Sequence, residues 1–114
     1  MKDFFTKYLS ELKYDLILDG ENSTEYKNER KNHSLVILWD DLSAEAAVKT
    51  GYSTGKDHLY VVTPEQVEEI GYELMEELVQ SLPPNVSVTL YEDDSLEHTM
   101  KDIWFFLNRA RTAP

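Results

Sequence analysis

Residues 57–100 of the chain read DHLYVVTPEQVEEIGYELMEELVQSLPPNVSVTLYEDDSLEHTM, a stretch that predicts two strands with a helix between them. An apolar run at residues 58–62 predicts a strand, and an alternating run at residues 86–91 predicts another. Between them, Thr63-Pro64-Glu65-Gln66 predicts a helix start with a threonine cap, proline at the first position and a glutamine that completes a capping box. The helix should continue to about Leu82 and end before the two prolines that follow.

The predicted helix at residues 63–82 has two contrasting sides. Apolar residues at helical spacing predict a buried stripe, with Gly71 and Met75 beside it. The stripe consists of Val67, Ile70, Leu74, Leu78 and Leu82. Glutamates occupy the other side, four of them spaced four residues apart: Glu65, Glu69, Glu73 and Glu77, with Glu68 and Glu76 next to them. Like charges at this spacing repel, and the helix contains no lysine that would relieve them.

The segments on either side supply the rest of a small domain. We expect an amphipathic helix at residues 2–13, strands at residues 14–18 and 34–39, and a short helix at residues 43–49. The polar residues 21–33 between the first two strands are interpreted as a long loop or the solvated end of a hairpin. A last helix should follow the cap at Asp94. Its predicted buried side contains Leu96, Met100, Ile103, Trp104, Leu107 and Ala110, with Phe105 on the opposite side and Phe106 at the border.

This order of elements predicts a single α/β domain over residues 1–114, although an α+β arrangement is also possible. We expect a small sandwich in which about three main helices pack on a mixed sheet of four strands. Helical connections between the later strands favour parallel pairs, whereas the first two strands have no helix between them and favour an antiparallel pair. The histidines at positions 33, 58 and 98 show no spacing typical of a metal site and are interpreted as surface or loop residues.

Composition excludes several classes of function. The formal net charge is −11, which repels nucleic acids and anionic membranes, so the expected partner is a basic protein rather than DNA, RNA or a lipid surface. The chain has no cysteine, which excludes disulfides, thiolate chemistry and cysteine-based zinc sites. No apolar run approaches the roughly 20 residues that span a bilayer. The start of the chain does not have the features of a secretory signal, so we expect a cytoplasmic protein.

Residues 57–100 contain eleven acidic side chains and no lysine or arginine. A carboxylate surface of this kind can steer association with a basic site and can imitate the charges of a phosphate backbone. We therefore expect a protein-binding module without enzymatic activity or cofactor, of the inhibitor, immunity-protein or nucleic-acid-mimic type. The predicted partner-binding residues are Glu65, Glu69, Glu73, Glu76, Glu77, Asp93, Asp94 and Phe105.

Two alternatives remain open. Carboxylates at strand ends are typical Mg²⁺ ligands, so Asp40, Asp41, Asp93 and Asp94 are candidates for a metal-dependent enzyme of phosphoryl transfer or phosphodiester hydrolysis. Aspartates in these positions are also common as turn formers and helix caps. Phe105 is predicted to be exposed and suits the other alternative, a structural subunit. The chain is accordingly expected to be a monomer or a homodimer.

Overall fold

The computed structural model describes residues 1–40 and 42–109 of the chain. The helices in this part are α1 (Lys2–Glu11), α2 (Ala44–Thr54), α3 (Pro64–Ile70), α4 (Tyr72–Ser81) and α5 (Leu96–Arg109). The strands are β1 (Asp15–Asp19), β2 (Ser23–Asn28), β3 (His33–Leu38), β4 (Asp57–Val62) and β5 (Val86–Leu90). None of these helices is both long and apolar enough to cross a membrane.

The strands form one mixed sheet in the order β1-β2-β3-β4-β5. The first three strands pair antiparallel, and β3, β4 and β5 pair parallel. The parallel strands are connected by helices, with α2 between β3 and β4 and the pair α3–α4 between β4 and β5. The predicted mixed α/β sheet is confirmed, but the described residues contain five strands and five helices rather than four strands and three main helices.

The main core lies on the face of the sheet that α1 and α5 cover, which we call the front face. Phe5 and Leu9 of α1 pack there with Ile103, Phe106 and Leu107 of α5, against buried strand side chains. Those strand side chains are Tyr26, Leu35, Ile37, Leu59 and Val61. Burial of each large apolar side chain contributes roughly 1.5–3 kcal/mol, so the front face supplies most of the stability.

The opposite face, which we call the back face, has a smaller core. Ala47 of α2 packs there with Tyr60 and Val86, and Leu82 lies beside them partly buried. Gly51 allows this helix to approach the sheet, since a Cβ at this position would lie 2.9 Å from Val86. The smaller core leaves the back-face helices less firmly anchored than those on the front face.

Residues 21–33 were predicted to be a long loop or the solvated end of a hairpin, and both interpretations are wrong, because β2 lies inside that segment. Its buried side chains are Thr24, Tyr26 and Asn28, and two of them are polar. Each finds a hydrogen-bond partner: Trp39 Nε1 donates to Thr24 Oγ1 over 2.8 Å, and the Lys31 amide donates to Asn28 Oδ1 over 3.1 Å. Polar residues on both faces of the strand hide the alternation that a sequence pattern relies on.

The prediction of one helix at residues 63–82 is also wrong, because the helix is interrupted at Gly71. The predicted start is confirmed, with Thr63 and Gln66 forming the capping box. Gly71 has φ 91° and ψ 143°, a conformation that glycine adopts without steric cost and that ends α3 before α4 begins. Because of this break, Leu78 is the one buried member of the predicted stripe, while Leu74 is 61% exposed.

Helix α5 is rotated relative to its prediction. Ile103 and Leu107 are buried as expected, but Phe106 is buried and Trp104 is about half exposed. The contact side is centred on Thr99, Ile103 and Phe106, and the Arg109 guanidinium covers the Phe106 ring at 3.9 Å. Ala110 lies outside the described residues.

Strand β1 forms one edge of the sheet, and all five of its residues are exposed. They include the consecutive apolar residues Leu16, Ile17 and Leu18. A bulge between Leu16 and Leu18 interrupts the pairing with β2. Bulges at an edge commonly hinder pairing with a further strand.

Candidate functional site: the acidic helix pair

The helix pair α3–α4 carries six exposed glutamates and no basic residue. They are Glu65, Glu68 and Glu69 on α3, and Glu73, Glu76 and Glu77 on α4. The ion pairs found among the described residues join Lys2 to Asp19, His33 and Arg109 to Asp57, and Lys56 to Glu25. None of these pairs involves α3 or α4, so no basic side chain in residues 1–40 and 42–109 forms an ion pair with the glutamates of the two helices. We call this surface the acidic helix pair.

Apolar side chains are exposed among these glutamates. Tyr72 is 76% exposed and Leu74 is 61% exposed, and half of Val79 is also open to solvent. Single exposed apolar side chains are ordinary, but several on one short helix are typical of a surface that another molecule covers. The acidic helix pair therefore combines charge with apolar contact area.

Strand ends extend the acidic surface at one side. Glu65, at the start of α3, lines the same depression as Asp93 and Asp94, which follow β5. Tyr91 lies in this depression, and its pKa is raised above the usual value by desolvation, then by a hydrogen bond with Asp93 and by the negative charge of that carboxylate. Glu65 is thus brought together with Asp93 and Asp94, two predicted partner-binding residues that lie far from it in sequence.

The other predicted residues are divided between surfaces. Glu77 lines a groove between α2 and α4, whereas Glu76 lines a different depression together with Tyr72 and Val79. Phe105 is 65% exposed and packs edge-on against Trp104 at 5.4 Å, on the helix that covers the front face. It therefore lies apart from the acidic helix pair, which connects β4 to β5 on the back-face side.

The candidate metal ligands do not come together as a cluster within the described residues. Asp40 is exposed after β3, and Asp41 lies outside the described residues. Because β2 lies between β1 and β3 and is antiparallel to both, β1 and β3 run in the same direction. Asp19, the last residue of β1, therefore lies at the same end of the sheet as the C-terminal end of β3. Over residues 1–40 and 42–109, no three acidic or histidine side chains come together as a metal site would require. The magnesium alternative stays a prediction.

A hydrogen-bonded array at the opposite end of the sheet, where β3 and β4 begin, was not predicted from the sequence. Tyr14 Oη lies 2.5 Å from His33 Nδ1, and His33 Nε2 lies 2.6 Å from Asp57 Oδ2. Arg109 donates to Asp57 Oδ1 over 3.3 Å. Desolvation acts to raise the pKa of Asp57, but the hydrogen bonds and charges of His33 and Arg109 outweigh it, so the pKa is lowered.

This array joins the starts of β3 and β4 to the end of α5. Tyr14 and His33 are 19 residues apart, and His33 and Asp57 are 24 apart, so no local motif announces the contact. None of the depressions described above includes it, and we interpret it as a structural clamp. The prediction of a surface or loop histidine is also wrong for His58, which is buried in β4.

Comparison of the chain with family profiles, with curated proteins and with solved structures finds no match.

Proposed function

We propose that this protein is a non-enzymatic protein-binding module whose acidic helix pair occupies a basic site on a protein partner. The observation that carries the proposal is the combination of six exposed glutamates with Tyr72, Leu74 and Val79 on one helix pair. Exposed apolar side chains do not contribute to solubility, so a surface that serves solubility alone does not account for their presence beside the charges. The combination is characteristic of an interface that is covered in a complex.

Charge and apolar area have different tasks in such a complex. The net charge of −11 and the local excess of glutamate attract a basic partner from a distance and speed its association. Exposed aromatic and aliphatic side chains, once buried, contribute affinity that salt does not screen. The proposal therefore predicts that the association rate falls as the salt concentration rises. The complex should still retain part of its affinity at high salt.

An inhibitor or immunity-type role is the form of this function that the surface supports best. Glu65, Asp93 and Asp94 extend the acid beyond the helices and enlarge the area that a basic site could contact. Imitation of a nucleic acid is supported for short stretches, because Gly71 divides the glutamates into two rows. The partner in either case is a protein with clustered lysine or arginine.

The test compares two charge-reversal variants with the same change in net charge. The helix variant carries Glu69→Lys, Glu73→Lys and Glu76→Lys, and the control variant carries Glu11→Lys, Glu21→Lys and Glu29→Lys, all at exposed positions. Each protein is immobilised and incubated with lysate of the native host at low salt, and bound proteins are eluted in salt steps and identified by mass spectrometry. We expect one dominant basic partner that the control retains and the helix variant loses.

Two results would contradict the proposal. One is equal loss of the partner from both variants, which would mean that net charge alone is responsible. The other is capture of many unrelated basic proteins in similar amounts, which would indicate non-specific attraction.

A further inference from the structure

A groove lies between α2 and α4 on the back-face side of the molecule. It encloses about 450 Å³, and its apolar lining comes from both sides. Leu42 and Ala44 line it at the start of α2, and Ile70, Leu74 and Leu78 line it from the helix pair. This volume accommodates one or two large apolar side chains of another molecule.

The groove exists because the predicted stripe of the helix pair is not covered. Ile70, Leu74 and Leu78 have the spacing of a buried face, but Leu78 alone is buried and Leu74 is 61% exposed. The break at Gly71 separates the helix that carries Ile70 from the helix that carries the two leucines. Covering the remaining apolar surface would be favourable by roughly 25 cal/mol per Å².

The charges beside the groove determine what can cover it. Glu77 belongs to the groove lining, and five further glutamates occupy the same two helices. An occupant must therefore combine an apolar anchor with lysine or arginine. A second copy of the chain does not meet this requirement, because it would bring the same glutamates and another net charge of −11.

The walls also restrict the backbone form of the occupant. One wall is the segment 42–44 that leads into α2, and the other is formed by α3 and α4. None of the lining residues belongs to a strand, so the groove offers no strand edge for pairing. A segment that enters the groove has to satisfy its own backbone, which a helix does. We propose that the α2–α4 groove receives an apolar side chain from a basic amphipathic helix of the protein partner, an inference that rests on the proposed function.

In this arrangement the apolar side of the partner helix contacts Leu74 and Leu78. Its basic side chains lie over Glu77 and Glu73, which are on the same helix as the two leucines. The groove then determines which basic proteins bind, because charge attracts many of them and the apolar anchor suits few.

The test uses designed peptides as probes, because they separate charge from apolar contact. One peptide of about 18 residues, long enough to form a helix, has leucine on one side and lysine on the other. The matched peptide has alanine in place of each leucine and therefore the same charge. Affinity is measured by calorimetry, and the contact site is located by NMR from the methyl signals of Ile70, Leu74 and Leu78.

We expect the leucine peptide to bind about 10- to 100-fold more tightly than the alanine peptide, since burial of a leucine contributes that much. Leu74→Gln should weaken the leucine peptide about tenfold and leave the alanine peptide unchanged. Leu18→Gln is the matched control, because Leu18 is a leucine of similar exposure that lies on β1, outside both the groove and the acidic helix pair. It should leave both affinities unchanged.

The outcomes separate this inference from the proposed function. Equal binding of both peptides at the acidic helix pair, or a leucine peptide that shifts methyl signals elsewhere, overturns the groove and leaves the acidic surface intact. Equal effects of Leu74→Gln and Leu18→Gln also overturn the groove. Failure of both peptides to bind at low salt overturns the groove and the proposed function together.

Discussion

His58 and Asp57 are adjacent residues at the start of β4, and burial affects them differently. The pKa of His58 is lowered from 6.5, first by desolvation, although its Nδ1 donates to the Lys56 carbonyl over 2.9 Å. The pKa of Asp57 is lowered from 3.8 because His33 and Arg109 stabilise its charged form. Both shifts link the stability of the fold to acid.

Stability should decrease with acid in two ranges. Below pH 6.5 the unfolded chain binds a proton at position 58 before the folded chain does, so the free energy of unfolding falls until the folded pKa is reached. The contribution of Asp57 is complete above pH 3.8 and is lost as the pH falls through its lowered folded value. Urea unfolding at a series of pH values measures both ranges.

The variant His58→Gln isolates the first range. It should flatten the dependence of unfolding free energy on pH just below 6.5 and keep the loss at lower pH. His98→Gln is the matched control, because this histidine is exposed on α5, and it should keep the wild-type profile. A profile that stays unchanged in His58→Gln would show that His58 does not titrate differently in the folded and unfolded chain.

Sequence patterns identify the helices and strands whose capping residues or apolar runs lie within the element itself. The cap at Thr63 and Gln66 and the apolar runs of β3, β4 and β5 predict their elements, because capping residues and apolar runs act locally. Strand β2 escapes prediction because the burial of Thr24 and Asn28 depends on hydrogen bonds from the Trp39 indole and the Lys31 amide, which a local pattern does not reveal. The break at Gly71 escapes because a single glycine is tolerated within a helical pattern and does not by itself indicate that the helix ends.

Gly71→Ala tests the break between α3 and α4. A Cβ at this position would meet no atom within 4 Å, so its effect arises from the backbone, which L side chains rarely adopt at φ +91°. We expect a loss of about 1–3 kcal/mol in the free energy of unfolding, measured in urea. Gln80→Ala, at an exposed position of α4, should change it by less than about 0.5 kcal/mol. Unchanged stability with stronger helical circular dichroism would instead mean that the two helices join.

For the whole molecule, the charge distribution is predictable from the sequence, but the surfaces it forms are not. The excess of acid in residues 57–100 is evident in the sequence, and the glutamates of α3 and α4 are exposed as expected. The meeting of Glu65 with Asp93 and Asp94 depends on β4 and β5 being parallel neighbours, which brings their ends together. The separation of Phe105 from this surface depends on which face each helix covers, and a sequence pattern does not encode that choice.

Glu77→Lys should raise stability while it weakens partner binding. The substitution replaces repulsion from Glu73 by an attractive pair at i and i+4, which stabilises the helix by about 0.2–0.5 kcal/mol. It also puts a cation near the C-terminal end of α4, where the helix dipole stabilises it by about 0.3–1 kcal/mol. The same change removes a carboxylate from the groove lining. Urea unfolding measures the first effect and calorimetry with the leucine–lysine peptide measures the second.

Glu29→Lys changes the net charge equally at an exposed site outside the helix pair and serves as the control. It should leave the affinity for the peptide nearly unchanged. A Glu77→Lys protein that binds the peptide as tightly as the wild type would contradict the expected conflict between stability and binding.

The single buried side chain of α3 and α4, Leu78, has a consequence for how this protein can evolve. The front-face core fixes the fold through α1, α5 and the sheet, so substitutions at the exposed positions of the helix pair, other than at Gly71 and Leu78, should have little effect on folding. Under the proposed function, mutations at these exposed positions would alter which partner is recognised, while the scaffold persists. Lineages in conflict with changing partners could thus diversify their specificity within one segment of about twenty residues and keep the remainder of the chain under ordinary purifying selection.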